Sequence, residues 1–227
     1  AFCPLAFRTP VLEAFVARNL AEEARQIAAE VPADLLARTA AFLLLKDSRS
    51  SFRIEAEDPP QDRIRRWGQA IGEAGRHPLD CDELLRLQRI VIGDDRFVHA
   101  GLRSEGGFVG EHERGTGSPV PDHISARPED LRDLMDGLVA FDRTGTHELD
   151  PVIAAAMLAF GFVYIHPFED GNGRLHRYLI HHVLAERGFN PPGVVFPVSA
   201  VILERIDDYR RTLETYSRRL LPLIRWH

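Results

Sequence analysis

Two helical segments joined by a short glycine turn, in the C-terminal half of the chain, most constrain what this sequence can fold into. Asp150 is a good N-cap and Pro151 suits the first helical position, so a helix is predicted to begin here. Its residues through Ile165 are apolar on every side, which is typical of a helix at the centre of a core. A residue before proline is disfavoured in the α region, so this helix should end near His166. A second helix is predicted over 173–187, and the pair should organise the fold.

Helical periodicity dominates the rest of the chain as well. Further helices are predicted over residues 11–30, 33–46, 62–73, 81–92, 127–142 and 199–220. A polar segment, 47–57, separates the second of these from a stop at Asp58-Pro59-Pro60. Between 93 and 125, glycines and prolines surround short β-prone runs such as Phe108-Val109, which predicts a long loop or a hairpin. The predicted fold class is therefore all-α with one β-prone insertion.

Composition limits the class of protein. The 227 residues carry a net charge of -6, which does not indicate a general binder of nucleic acids or membrane surfaces. The longest apolar run, 153–165, is too short to span a bilayer, and no signal-peptide pattern opens the chain. Cys3 and Cys81 are the only cysteines, which favours a reducing compartment over a disulfide framework. A single lysine, Lys46, against 27 arginines indicates the codon bias of a G+C-rich genome. A bacterial, cytoplasmic protein without membrane partners is expected.

The turn between the two central helices, residues 166–177, concentrates groups that bind phosphate. The first amides of a helix have no intrahelical partner, and together with the helix dipole they form an anion site. Gly171 and Gly173 permit positive φ and a close approach of the backbone to a phosphate. Arg174 and Arg177 lie three residues apart, so they share one helix face and can clamp phosphate oxygens. The segment therefore predicts a site for nucleotide phosphates.

Two further residues of this turn indicate chemistry in addition to binding. Asp170 is a hard oxygen ligand beside the phosphates, where Mg²⁺ commonly bridges. His166 has an ordinary pKa of about 6.5, which suits it to take a proton from a hydroxyl. Phe168 is interpreted as an apolar anchor of the turn. Together these residues predict attack by an alcohol on a metal-bound nucleotide, helped by positioning and charge stabilisation.

The twelve residues from His166 to Arg177 also match the Fic motif, His-Pro-Phe-x-(Asp/Glu)-Gly-Asn-Gly-Arg-x-x-Arg, at every specified position. The chain resembles Fic proteins over most of residues 35–220. The resemblance implies a mostly helical Fic fold, a bundle around the central motif helix pair with a β-hairpin flap. It also implies transfer of AMP from ATP to a Ser, Thr or Tyr hydroxyl of a target protein.

The same resemblance implies a role for each motif residue. His166 would be the base that activates the target hydroxyl, and Asp170 would hold Mg²⁺. Arg177 would engage the γ-phosphate of ATP. The residues expected to cradle the α- and β-phosphates are Gly171, Asn172, Gly173 and Arg174.

A segment after Arg103 resembles the flap of Fic enzymes. Its residues Phe108, Val109 and Gly110 would lie in a hairpin whose edge pairs with the backbone of the target. An exposed strand edge can bind a peptide in this way by β-augmentation. The resemblance therefore implies that the flap lays the target hydroxyl next to His166.

A segment upstream resembles the inhibitory motif of Fic proteins, (Ser/Thr)-x-x-x-Glu-(Gly/Asn). Ser51 and Glu55 match its specified positions, and in such proteins this helix lies over the nucleotide site. Glu55 would then occupy the charge that Arg177 should offer the γ-phosphate. Position 56 is Ala instead of Gly or Asn, which indicates that the helix continues to Pro59.

On this interpretation residues 1–60 form N-terminal helices that include the inhibitory segment, and residues 61–227 form the Fic catalytic core. The chain begins without Met and stops directly after an apolar segment, which predicts a piece of a longer protein with a further C-terminal domain. The expected partners are ATP and a hydroxyl-bearing protein target, with a homodimer as a further option. This fragment itself is not expected to bind nucleic acid.

Several alternatives stay open at the level of sequence. Fic relatives also transfer UMP, phosphocholine or a phosphoryl group, and a glutamate such as Glu55 could assist the removal of AMP. The chain could instead be a nucleotide-sensing regulatory module attached to a DNA-binding segment. Histidines 176, 181 and 182 are interpreted as core or surface residues, because no His/Asp/Glu trio on the 173–187 helix has ligand spacing.

Overall fold

The computed structural model describes Phe2 and residues 6–93, 100–145 and 148–225 of the chain. Cys3 and residues 94–99 of the predicted loop lie outside the described residues. The helices are α1 Pro10–Ala17, α2 Leu20–Ala29, α3 Ala33–Ile54, α4 Gln61–Gly72, α5 Cys81–Ile92, α6 Leu131–Ala140, α7 Pro151–Ile165, α8 Asn172–Glu186, α9 Val198–Glu204 and α10 Ile206–Leu220. The strands are β1 Phe108–His112 and β2 Pro119–Ile124. The predicted mostly helical fold with one small β element is confirmed.

The centre of the fold is the pair α7 and α8, as the sequence predicts. Asp150 caps α7, because its Oδ1 accepts hydrogen bonds from Val152 N at 2.9 Å and Ile153 N at 3.3 Å. Helix α7 ends at Ile165, directly before the residue that precedes the proline. The apolar faces of α4, α5 and α6 pack around this pair and complete the core. The N-terminus of α8 is thereby fixed beside the C-terminus of α7.

The helix predicted over 33–46 is longer in the structure, because α3 has 22 residues and continues through the first eight residues of the polar segment 47–57. Its polar side chains face the core and have buried partners. The Asp47 carboxylate, fully buried, lies 2.9 Å from His181 Nε2 and accepts a hydrogen bond from Ser199 N at 2.6 Å. Polarity in this stretch therefore marks a buried hydrogen-bonded helix face, which ties α3 to α8 and α9.

Two helices predicted as continuous are each divided in the structure. The predicted helix over 11–30 breaks at Asn19, which adopts a left-handed backbone with φ of 50°. Asparagine tolerates that conformation better than most residues. The predicted helix over 199–220 breaks at Arg205, whose φ of -122° lies outside the helical region. The resulting short helices α1 and α2 contain no buried residue, so they are held to the core only loosely.

The β-prone insertion forms an antiparallel hairpin, in which Phe108 pairs with Ile124 and Val109 with His123. A bulge follows between Val109 and Gly110. Gly110 has φ of 153°, and a Cβ at this position would collide with the backbone of β2. Only glycine fits here without disturbing the hairpin. None of the described helices combines the length and the apolar character needed to cross a membrane.

Candidate active site

The loop between α7 and α8 is held in shape by one buried side chain. Asn172 Oδ1 accepts a hydrogen bond from Phe168 N at 3.0 Å, and Asn172 Nδ2 donates to Phe168 O at 2.7 Å. Phe168 itself is buried and packs against Phe162, with ring centroids 5.9 Å apart. Gly171 takes a positive φ of 94° at the N-cap of α8. Both polar groups of the Asn172 side chain are thus used inside the loop, so any contact with a phosphate would come through its backbone N–H.

His166 follows α7 directly and adopts a left-handed backbone, with φ of 54°. Burial lowers its pKa to about 4, with a smaller lowering effect from His123. The imidazole is therefore neutral at neutral pH, which is the form that can accept a proton. Its Nδ1 lies 3.4 Å from Val163 O, so a proton on Nδ1 leaves the lone pair of Nε2 available. This geometry suits a general base.

Arg103 connects the hairpin to His166. Its guanidinium donates hydrogen bonds to His166 O at 2.8 Å, to Glu105 O at 2.6 Å and to Ala126 O. Glu105 precedes β1 and Ala126 follows β2, so both ends of the hairpin are bonded to the side chain that holds His166. Arg103 is only 6% exposed. Sequence reasoning placed Arg103 at the start of the flap but missed this positioning role, since the carbonyl groups that it contacts leave no sequence signal.

The N-terminus of α8 forms the predicted anion site, and a carboxylate lies in it. A Cβ added to Gly173 would collide with Glu55 Oε1, so the absence of a side chain at this position leaves room for the carboxylate. Negative charge at a helix N-terminus is stabilised by the exposed amides and by the helix dipole. Glu55 therefore occupies a place suited to a phosphate group.

Arg177 is buried against the end of α3, with 1% of its side chain exposed. Its Nη2 lies 2.8 Å from Glu55 Oε1 and donates to Ser51 O at 2.7 Å. Its Nε donates to Ser51 Oγ at 3.2 Å. Within the described part of the chain Nη1 has no hydrogen-bond partner. A buried guanidinium with an unused donor is a fitting receptor for a further anion.

Arg174, whose side chain is also 1% exposed, contacts two carboxylates. Its Nη2 donates to Asp170 Oδ1 at 2.7 Å, and its Nη1 pairs with Glu57. Glu57 is held from the other side by Arg63 Nη1 at 3.0 Å. Sequence reasoning missed Glu57. The available signal was its position two residues after Glu55, which lets one turn present both carboxylates to the two motif arginines.

The end of α3 explains how both carboxylates reach the site. The helix ends at Ile54 and does not continue to Pro59. Ala56 adopts a left-handed φ of 57°, the conformation that the family's Gly or Asn adopts most readily. Glu57 N then donates to Phe52 O at 3.1 Å and Ala56 N to Arg53 O at 3.0 Å, as in a Schellman motif. The expectation that Ala56 prolongs the helix is wrong, because these bonds stabilise the left-handed turn.

Asp170 lies at the edge of the site, with 42% of its side chain exposed. Its Oδ1 accepts hydrogen bonds from Gly171 N at 2.6 Å and from Arg174 Nη2. A half-exposed carboxylate beside the anion site is a suitable donor for a hard divalent cation such as Mg²⁺. The residue types and their placement therefore fit the expected metal.

The structure brings most of the predicted residues to one place. Around the N-terminus of α8 lie Ser51, Glu55, Asp170, Gly171, Asn172, Gly173, Arg174 and Arg177. His166 lies at the other end of the loop, and Arg103 joins it to the hairpin. Within the hairpin Val109 is 43% exposed, while Phe108 is partly buried and Gly110 is exposed. A phosphate cradle, a neutral imidazole and an exposed strand are thus parts of one connected structure.

Residues 78–184 match the model of the Fic/DOC family. The chain is 32% identical over 152 residues to protein adenylyltransferase Fic of Nematostella vectensis, covering 65% of this chain and 31% of that protein. It is also 32% identical over 154 residues to protein adenylyltransferase fic-1 of Caenorhabditis elegans, covering 61% of this chain and 28% of that protein. The chain therefore spans less than a third of the length of these relatives.

Solved structures show the same architecture. A Fic family protein of Desulfovibrio desulfuricans superposes with a TM-score of 0.70 at 22% identity, covering 96% of this chain and 70% of that chain. A Fic domain containing signalling protein of Bacteroides thetaiotaomicron superposes with a TM-score of 0.65 at 20% identity, covering 85% and 80% of the two chains. At these identities the similarity establishes the fold, a helical bundle around the motif helix pair with a hairpin flap.

Proposed function

This chain carries a Fic domain, residues 78–184, and on that premise we propose that the protein is a protein adenylyltransferase. The observation that supports the proposal most strongly is the anion site at the N-terminus of α8. There the open Gly173 cradle lies beside two buried arginines, Arg174 and Arg177. A polyphosphate chain matches this arrangement, because its successive phosphates can meet the helix amides and both guanidinium groups.

In the proposed reaction a hydroxyl oxygen of the target protein attacks the α-phosphorus of ATP. The new oxygen–phosphorus bond forms as the bond from the α-phosphorus to the bridging oxygen breaks, so AMP is transferred and pyrophosphate leaves. His166 takes the proton of the hydroxyl, and its lowered pKa keeps it in the neutral form that this step requires. Asp170 would hold Mg²⁺, which neutralises charge on the phosphates.

The hairpin is proposed to bind the target. Val109 and Gly110 present exposed backbone on β1, which can pair with an extended segment of another protein. Arg103 donates to the carbonyl group of His166 and to carbonyl groups at both ends of the hairpin. A target segment bound to β1 would therefore have a fixed position relative to the base.

The end of α3 is proposed to inhibit the enzyme. Glu55 occupies the cradle at Gly173 and pairs with Arg177, while Glu57 pairs with Arg174. Each carboxylate takes the charge that a phosphate group would need, so productive binding of ATP requires this turn to leave. The contact of Glu55 with Arg177 supports the inhibitory role proposed for Ser51 and Glu55. Glu57 extends it to the second motif arginine.

The test is to incubate the protein with ATP, Mg²⁺ and a bacterial lysate and to detect AMP on proteins by mass spectrometry. Glu55→Gly should increase the modification strongly, and His166→Ala in the same background should abolish it. The matched control is Glu30→Gly, because Glu30 is the C-cap of α2 as Glu55 is the C-cap of α3. AMP transfer at the same level in Glu55→Gly and Glu30→Gly would contradict the inhibition. Undiminished transfer without His166 would contradict the mechanism.

The same experiment identifies which chemical group the enzyme transfers. Parallel incubations with UTP and with CDP-choline show whether UMP or phosphocholine is transferred instead.

We also propose a cytoplasmic location in a bacterial cell, which the arginine-rich composition and the two cysteines support. A homodimer is proposed as well, supported by exposed apolar side chains on the N-terminal helices such as Phe15 and Phe42. Sedimentation analysis tests it.

A further inference from the structure

A second group of potential metal ligands lies at the opposite end of α8 from the active site. His182 and Glu186 are four residues apart on α8, so their side chains lie on one face. Asp142 comes from the π-helical turn Phe141–Gly145 that follows α6. Helix α8 alone offers no trio of ligands, as its sequence spacing indicates, and the third ligand comes from a distant segment that the tertiary fold places beside it.

The three side chains converge on a common point. His182 Nε2 lies 4.0 Å from Asp142 Oδ2 and 4.0 Å from Glu186 Oε2, and all three ligand atoms lie within 4.8 Å of one another. These separations are too long for hydrogen bonds. Bonds of about 2.0–2.2 Å from zinc to nitrogen and oxygen place two ligand atoms roughly 3–4 Å apart. A small inward movement of the side chains would therefore complete a coordination shell.

Burial makes the present state of His182 unfavourable. Its side chain is 1% exposed, and neither ring nitrogen has a hydrogen-bond partner among the described residues. A buried polar group left without a partner costs about 1–3 kcal/mol, and coordination of Nε2 would remove much of that cost.

The surroundings give an ion both charge balance and access. Asp142 is 4% exposed, and its carboxylate oxygen Oδ2 would contribute negative charge to the coordination shell of an ion. Glu186 has 43% of its side chain exposed, which provides a route from solvent. One imidazole and two carboxylates form a mixed nitrogen and oxygen donor set that suits a borderline ion.

We propose that Asp142, His182 and Glu186 bind a divalent transition-metal ion, with Zn²⁺ as the best match and water completing the shell. The ion would join the turn after α6 to the C-terminal half of α8, so its role is structural. Residues 172 and 182 are ten positions apart along α8, which places this site about 15 Å from the nucleotide site. It is therefore independent of the proposed transfer reaction and of Mg²⁺ at Asp170.

The test uses the untagged protein after treatment with a chelator. Zn²⁺ is titrated by calorimetry, bound metal is counted by elemental analysis, and thermal unfolding is followed with and without the ion. We expect one Zn²⁺ per chain and a saturable rise in Tm. Glu186→Gln should weaken the binding at least about tenfold, and this half-exposed position tolerates the isosteric change without loss of the fold.

Asp170→Asn is the matched control, because it alters the expected Mg²⁺ site and leaves this cluster intact. It should bind Zn²⁺ as the parent does. Equal affinity of Glu186→Gln and the parent would overturn the proposal, and so would a loss of binding in Asp170→Asn alone. A failure of AMP transfer has no bearing on these results, so the two proposals are separately testable.

Discussion

Glu57, the third residue after the last helical residue of α3, forms an ion pair with Arg174, one of the least exposed side chains in the protein. Glu55 pairs in the same way with Arg177. The two carboxylates come from one left-handed turn and neutralise two arginines one helical turn apart on α8. Removing one partner of a buried ion pair leaves the other charge uncompensated, so such contacts are costly to break from one side.

Replacement of Glu57 should mainly change the binding of ADP, and replacement of Glu55 should mainly change the use of ATP. If Arg174 binds the α- and β-phosphates and Arg177 the γ-phosphate, Glu57→Gln should raise the affinity for ADP about tenfold, or about 1.4 kcal/mol. Glu55→Gln should raise the affinity for ADP less than Glu57→Gln does, because Glu55 pairs with Arg177 and not with Arg174, and it should raise AMP transfer from ATP. Calorimetric titration with ADP measures the difference, with Glu30→Gln as the control. Equal ADP affinity in the Glu57→Gln variant and the parent would show that Glu57 does not compete with phosphate.

Ala56→Gly should stabilise the protein by about 0.5–1 kcal/mol. The native φ of 57° costs an alanine about 1–2 kcal/mol, a penalty that glycine avoids at some cost in chain entropy. Denaturation by urea at constant m-value measures the change in unfolding free energy. Ala29→Gly, at the last residue of the regular helix α2, should act in the opposite direction. A destabilised Ala56→Gly variant would argue against the left-handed turn.

Arg103→Lys should reduce the rate of AMP transfer about 10–100-fold with little effect on nucleotide affinity. Lysine cannot reproduce the fork of donors that reaches His166 O, Glu105 O and Ala126 O, so the base and the flap lose their mutual alignment. The Glu55→Gly background makes kcat measurable, and ADP titration reports the affinity. Arg114→Lys, in the exposed turn of the hairpin, should retain the parent rate. Equal rates for both lysine variants would remove Arg103 from the positioning role.

Stability should fall as the pH drops from about 6.5 towards 4. Burial lowers the pKa of His176 to about 4, below its ordinary value of 6.5. The unfolded chain therefore binds more protons in this window, and each such histidine costs about 1.4 kcal/mol per pH unit. His176→Asn keeps a donor for Ala159 O and should make the pH dependence shallower. Denaturation curves across the window that keep the parent slope would contradict the assignment.

Asp47→Asn should destabilise the protein by about 2–4 kcal/mol. The carboxylate is fully buried and accepts from His181 Nε2 and from Ser199 N, and an amide cannot satisfy both as well. Asp34→Asn, on the exposed first turn of the same helix, should change the unfolding free energy by less than about 0.5 kcal/mol. Urea denaturation compares the two. Similar losses of unfolding free energy for both variants would contradict the claim that the buried hydrogen bonds of Asp47 stabilise the fold.

The features that sequence predicts well are those encoded by neighbouring residues. Asp150 and Pro151 define the start of α7, and Pro167 defines its end, because capping and backbone sterics act over one or two positions. The motif residues that surround the anion site are local as well. The turn that contains these residues also determines where α8 begins. The anion site at the N-terminus of this helix can therefore be predicted from the local sequence, without knowledge of any tertiary contact.

The features that sequence misses depend on partners far along the chain. From sequence alone Asp47 belongs to a polar connection, because its hydrogen-bond partners His181 and Ser199 lie more than 130 residues further along the chain. Asp142 and His182 are forty residues apart, and only the fold places them together. Periodicity alone cannot tell a buried polar helix face from a surface loop, since both are polar in sequence.

The continuity of α3 determines how the site could be opened. A rigid-body movement of the whole helix would break the buried contacts of Asp47 with His181 and Ser199. Unwinding of the turn after Ile54 would break three backbone hydrogen bonds, from Glu55 N, Ala56 N and Glu57 N, and the ion pairs to Arg174 and Arg177, while the buried contacts of Asp47 stay intact. The easier route is therefore local melting at the tip of a rod that stays anchored. Activation would then be a local unfolding of the turn around Ala56, whose left-handed backbone is its least favourable conformation, while the rest of α3 stays packed against the core.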